Sequence, residues 1–165
     1  MDQVKRFGLV CVLMLALVAG FGCAKKTVSS EGVSTSEDFV SGSSMTAVEQ
    51  AAQTISDGIV YFEFDSFDIQ PQYYELLRQK AELLKQYPSV RIRIEGNCDE
   101  RGTEEYNLAL GGRRARAAYD YLLRMGVNPA QMETISFGKE RPAVMGTGPE
   151  TWAKNRRDDF QILTR

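Results

Sequence analysis

The chain of 165 residues contains no histidine. Histidine is the side chain whose ordinary pKa lies closest to neutrality, so its absence removes Ser-His-Asp and Cys-His catalysis, imidazole metal sites and histidine pH switching in one step. Most hydrolase mechanisms fail on that count. Neither sign of charge is in excess: 20 Lys and Arg stand against 22 Asp and Glu, a formal net charge of −2. No polyanionic partner, nucleic acid included, is implied. Three cysteines are present. Cys11 and Cys23 belong to the N-terminal apolar segment, which leaves Cys98 without a partner and the fold without a disulfide.

A long hydrophobic run is also missing. Lys5 and Arg6 precede an apolar run from Phe7 to Val18, but the uncharged stretch before Cys23 is about 16 residues against the roughly 20 that span a bilayer. The pattern predicts a secretory signal over residues 1–22. Cys23 stands where a bacterial lipoprotein signal places its lipidated first residue, and Gly22 suits that reading. Gly20 and Phe21 depart from the usual box, so ordinary cleavage is the alternative. Ala24 is not the Asp of inner-membrane retention, which points to a lipid anchor in the outer membrane with the folded part facing the periplasm. Residues 23–56, rich in Ser, Thr and Gly at their start, read as a flexible tether. The helical spacing of Val48, Ala51, Ala52 and Ile55 allows a short helix at its end.

What is present is one domain over residues 57–165. Residues 59–64 are β-rich and predict a first strand. A helix follows from Pro71 and stops at Tyr87, because Pro88 disfavours helix in the residue before it. Val90, Ile92 and Ile94 alternate with Arg91, Arg93 and Glu95, which predicts a strand with one packed face and one wet face. A second helix spans residues 104–125, with Tyr106, Leu110, Ala117, Tyr121 and Leu122 as its core stripe and Gly126 as its stop. Strands at 132–137 and 159–163 flank a loop with a short helix near 151–155. The order βαβαββ predicts an α/β (α+β) two-layer fold, a mixed four-stranded sheet with helices on one face.

The stretch Gly96-Asn97-Cys98-Asp99-Glu100-Arg101-Gly102-Thr103 lies between a strand and a helix. Positions 107, 111 and 114 then fall on one helical stripe, so a carboxylate, an amide and a guanidinium can converge with no catalytic base nearby. That pattern suits binding, not catalysis. Bland alternatives remain: Asp99 and Arg114 pair with each other, Asp99 satisfies amides in its own turn, or Asn107 bonds locally in the first helical turn. Arg113 and Arg116 read as solvated helix surface, and Arg156 and Arg157 as support for the last strand.

These motifs, with Tyr106-Asn107, Arg113-Arg114-Ala115, residues 137–143 and Asn155-Arg156-Arg157, resemble the OmpA-like peptidoglycan-binding domain family. The resemblance covers residues 60–163. It implies a non-enzymatic domain, without cofactor or metal, that grips the diaminopimelate of peptidoglycan and ties the outer membrane to the cell wall. By resemblance Asp99 takes the ligand's ammonium and Arg114 its carboxylate, with Asn107, Leu110, Phe64 and Asp65 at the remaining ligand positions. Asn97 stands where related lipoproteins often have His, and Cys98 where they have Ala or Thr. Partners implied in the same way are TolB, possibly TolA, and the wider Tol system. Two rivals are a periplasmic protein-binding module and a peptidoglycan-acting enzyme using Asp99 and Glu100, although adjacent residues in a tight turn seldom face one bond.

Overall fold

Thr46 caps the first described helix with a capping box: its hydroxyl accepts the Glu49 N–H and the Glu49 carboxylate accepts the Thr46 N–H. The structure, a computed structural model, describes residues 45–165. The expected signal, Cys23 and the tether up to Ser44 lie outside the described residues. The short helix that the spacing of Val48, Ala51, Ala52 and Ile55 allows is present as α1 (Ala47–Asp57), and Ala51, Ala52 and Ile55 form a stripe that buries against the domain. The Lys80 ammonium, itself buried, donates to the Ile55 carbonyl at the end of α1 and lies 4.2 Å over the Phe160 ring. A cation at a helix C-terminus meets both the orphan carbonyls and the dipole.

Strand β1 (Val60–Tyr61) is shorter than the six residues expected. The Phe62 N–H still donates to the Arg156 carbonyl, but the backbone then leaves the sheet through a turn with Asp65 at φ 55°, a left-handed conformation rare outside glycine. A 3-10 turn at Pro71–Tyr73 leads into α2 (Tyr74–Gln86), so the α-helix proper starts three residues after Pro71. Strand β2 (Arg91–Asn97), helix α3 (Glu104–Arg124), strand β3 (Met132–Gly138), helix α4 (Pro149–Asn155) and strand β4 (Arg157–Thr164) complete the described chain.

The sheet order is β1-β4-β2-β3. β4 runs antiparallel to both β1 and β2, while β2 and β3 are parallel through α3. The mixed four-stranded sheet and its two layers therefore stand as expected. Ile55, Leu77, Leu84, Ala118 and Leu122 from the helices join Ile92, Ile94 and Phe160 from the sheet in one apolar cluster. Arg93 and Glu133 pair at 2.6 Å across the other face. Glu95 is more enclosed than a wet face implies, because Arg141 closes over it at 3.6 Å.

The stripe on α3 differs from the sequence expectation. Tyr106 is exposed and Ala117 and Tyr121 are half-buried, whereas Asn107, Leu110, Gly111, Arg114, Ala115, Ala118 and Leu122 face inward. The cause is a glycine contact. A Cβ on Gly96 would lie 1.9 Å from the Gly111 carbonyl oxygen, and one on Gly111 would lie 2.4 Å from the Ser136 hydroxyl. With neither Cβ present, α3 presses its Asn107–Gly111–Arg114 face directly onto β2. Two polar side chains are thereby delivered to the end of the sheet where the Asp99 turn begins.

Candidate functional site

Asp99 sits in the turn after β2 and is buried. Its Oδ1 accepts the Arg101 N–H and Nε–H at 3.2 and 3.0 Å, and its Oδ2 accepts Arg101 Nη2 at 2.6 Å and Arg156 Nη1 at 3.3 Å. Four donors fill the roughly four lone-pair positions of a carboxylate. Burial alone would lift the Asp99 pKa, but these bonds outweigh it and hold the carboxyl below its ordinary range. Arg101 lies between the rings of Phe64 and Trp152, 4.1 Å from each centroid, and Trp152 Nε1 donates to Glu100 at 2.9 Å.

Helix α3 starts on the Thr103 hydroxyl, which accepts the Tyr106 N–H. One turn on, Asn107 Nδ2 donates to the carbonyls of Arg101 and Thr103 at 2.7 and 2.9 Å, tying the Asp99 turn to the helix. Two turns further, Arg114 is 0% exposed. Its Nε donates to the Ser66 carbonyl, Nη1 to the Asn97 carbonyl and the Cys98 sulfur, and Nη2 to the Glu63 carbonyl, all within 2.8–3.3 Å. Four of five guanidinium N–H groups are thus used, all on neutral acceptors. The loop that leaves β1 early does so to wrap this cation with two of its carbonyls.

Asp99, Arg114, Asn107, Leu110, Phe64 and Asp65 line a single cleft of about 190 Å³. The sequence-expected set is thereby brought together. Asp99 and Arg114 do not pair with each other; the ion pairs of Asp99 are to Arg101 and Arg156. Asp99 does take the amide of its own turn, so that part of the bland reading is present beside the cleft. Asp65 accepts the Tyr106 hydroxyl, which ties the β1 loop to α3 across the mouth. Asn97 does not line the cleft: its Nδ2 donates to Glu95 and Asp159, and its backbone carbonyl supports Arg114. The Cys98 thiol donates to the Asn107 carbonyl at 3.4 Å, and burial pushes its pKa up to about 11.

Sequence reasoning missed Arg101 and Arg156 as site residues, and Trp152 as the ring that stacks on Arg101. Arg156 was assigned to the last strand, but it lines the cleft, donates to the Phe62 carbonyl and pairs with Asp99. Arg157, its neighbour, does support β4 through Asp159 at 2.8 Å. The available signal was the arginine pair before a strand: one of two adjacent residues must point away from the strand's outer face. A larger open groove of about 900 Å³ between α2 and α3 holds neither Asp99 nor Arg114, and its Arg116 is partnered by Asp120 at 2.9 Å on the surface. The smaller cleft, with its buried unlike charges, is the candidate site.

Residues 61–156 match the OmpA family. This chain belongs to that family. It is 40% identical to the peptidoglycan-associated lipoprotein of Pseudomonas putida over 96% of this chain and 99% of that one. Against the peptidoglycan-associated lipoprotein of Pseudomonas aeruginosa the identity is 39% with the same coverage. Among solved structures, the peptidoglycan-associated lipoprotein from Burkholderia pseudomallei superposes with a TM-score of 0.62 at 52% identity, over 63% of this chain and 88% of that one. The C-terminal domain of Helicobacter pylori MotB gives a TM-score of 0.61 at 24% identity, over 66% and 85%, which shows a shared fold. The resemblance read from the motifs is borne out, and like these OmpA-family relatives the protein is not an enzyme. Among the described residues no helix is long and apolar enough to cross a membrane.

Proposed function

We propose that this OmpA-family protein is an outer-membrane lipoprotein that binds peptidoglycan noncovalently and links the outer membrane to the cell wall. The observation that carries the reading is the cleft itself: a carboxylate and a buried guanidinium, supplied by different elements, face one small space without pairing. The free end of a diaminopimelate side chain is a zwitterion of matching size and charge. Its carboxylate accepts the remaining Nη2 hydrogen of Arg114, its ammonium reaches Asp99, and Leu110 and Phe64 enclose the methylenes. No general base stands beside Asp99, since its two neighbours are arginines that keep it ionised. The relatives named for association with peptidoglycan support the same assignment.

Cys23 carries the lipid in this reading, and residues 24–44 give reach between membrane and wall. TolB, TolA and the Tol–Pal system are proposed as partners on family grounds, with TolB overlapping the cleft. The test is sedimentation of the protein with purified cell walls, with soluble diaminopimelate as competitor. Cosedimentation that diaminopimelate abolishes, with no soluble fragments released, is expected. Released fragments would mean an enzyme, and no cosedimentation a protein-binding module. Mass spectrometry of the mature N-terminus decides the lipid: an unmodified terminus beginning elsewhere than Cys23 overturns it.

A further inference from the structure

Behind the cleft lies a charged group that the reading above does not use. Asp158 is 0% exposed, on the inward face of β4 two residues before Phe160, where it is paired in register with Val60 of β1 and Gly96 of β2. Strands on both sides and α3 above seal it. Neither carboxylate oxygen has a protein hydrogen-bond partner. Buried carboxylates are ordinarily paired or hydrogen-bonded, so an acid left bare at this position asks for a reason.

The charged groups facing Asp158 are few. Arg114 acts from α3, Arg157 and Asp159 from its own strand, and Cys98 lies nearby in the turn after β2. Arg157 is engaged with Asp159, and the Cys98 thiol is neutral because burial holds its proton. The effective partner of Asp158 is therefore Arg114, itself 0% exposed, whose hydrogen bonds reach only neutral acceptors.

We propose that Asp158 is a positioning residue that sets the charge available at Arg114: it takes up a proton when a ligand carboxylate docks on the guanidinium and gives it up when the cleft empties. This rests on the reading of the cleft as an anion-and-ammonium site. With the cleft empty, an ionised Asp158 is stabilised by Arg114. A docked carboxylate adds a second negative charge on the same guanidinium inside a low-dielectric enclosure, where like charges repel and the neutral acid is favoured. The proton comes from solvent and returns to it; no covalent bond changes. Burial already raises the Asp158 pKa well above the ordinary range, with Arg114 opposing, and negative charge brought to Arg114 raises it further. By linkage, ligand affinity then falls as pH rises, about tenfold for each unit by which ligand binding shifts the acid.

The experiment is calorimetric titration of the full chain in detergent with soluble diaminopimelate between pH 5 and 8.5, in pairs of buffers of different ionisation enthalpy. Wild type is expected to take up protons on binding and to bind more weakly as pH rises. Asp158→Asn, which mimics the protonated acid at constant shape, is expected to bind without proton uptake and with a flatter profile. Equal uptake and equal slopes in the two proteins would overturn the proposal. Binding of diaminopimelate by neither protein at any pH would overturn the functional reading instead, and thermal melts then judge the acid alone. A raised folded-state pKa gives stability that is full below about pH 4, the unfolded value, and lost as pH rises through the folded value. Asp158→Asn should thus match wild type at pH 4 and melt higher at pH 8; an equal difference at both pH values would refute the buried proton.

Discussion

Arg101 holds Asp99 through three hydrogen bonds, and Arg156 supplies a fourth. A ligand ammonium can reach this carboxylate only by taking the place of a guanidinium N–H. Arg101 is the group free to leave, since its side chain is 34% exposed and held by two rings, whereas that of Arg156 is 13% exposed and anchored to the Phe62 carbonyl. Arg101→Ala should therefore tighten diaminopimelate binding, by about tenfold if one charge-assisted bond of about 1.5 kcal/mol no longer has to break. Weaker binding by calorimetry would show that Arg101 holds the ligand itself.

Replacing the two oppositely charged residues should have unequal costs. Arg114→Ala leaves carbonyls of Glu63, Ser66 and Asn97 without their buried donor, and each buried acceptor left unsatisfied costs about 1–3 kcal/mol. Asp99→Ala leaves Arg101 able to turn toward solvent and Arg156 still anchored to the Phe62 carbonyl, and should cost much less while abolishing wall binding. Melts beside wall sedimentation read both effects. Wall binding by Asp99→Ala at the wild-type level would remove Asp99 from the site.

Two adjacent glycines offer a matched pair. Gly111→Ala drives a methyl to 2.7 Å from the Gly96 carbonyl oxygen, so α3 must lift from β2, costing about 1–3 kcal/mol and displacing Asn107 and Arg114 together. At Gly112 the new methyl meets only the Ser136 Cβ at 3.9 Å, and Ala in a helix should stabilise by about 0.5–1 kcal/mol. Denaturant titrations distinguish them. Equal effects would contradict the close approach.

Lys80 gives an alkaline signature. Burial lowers its pKa from the ordinary 10.5 to about 8, partly offset by Asp57. Above about pH 8 the folded protein releases this proton before the unfolded chain does, so stability rises with pH until about 10.5, by about 3 kcal/mol in total. Lys80→Met should lack that rise. Parallel stability profiles for wild type and Lys80→Met from pH 8 to 10 would place the ammonium in solvent.

Much of this was legible beforehand, and what was not has identifiable causes. Alternation marked Ile92 and Ile94 as inward, and Pro88 fixed the end of α2, because both signals are local. That Asp99, Asn107 and Arg114 can converge was legible through spacing, whereas Leu110, Phe64 and Asp65 were named only through the family resemblance. The short β1 was not, because its departure from the sheet answers to Arg114, 48 residues from the Ser66 carbonyl it binds. Tyr106 misled because an aromatic at helical spacing reads as core, while the Gly96–Gly111 contact rolls α3 and turns that ring toward Asp65. Arg101 reads from sequence as a charge beside Asp99; only the folded rim shows it stacked between Phe64 and Trp152.

Helix α1 has a mechanical consequence. It is the first described element of the domain and touches the rest through Val48, Ala51, Ala52 and Ile55 and the Lys80 bond to Ile55, none of which lines the cleft. Tension applied from the N-terminal side loads α1 before it reaches the sheet. If α1 peels away, its 11 residues lengthen from about 1.5 to about 3.4 Å each and release about 20 Å of slack while the cleft keeps its shape. Under the proposed function, a pull between membrane and wall would then be absorbed in α1 before it is felt at the cleft.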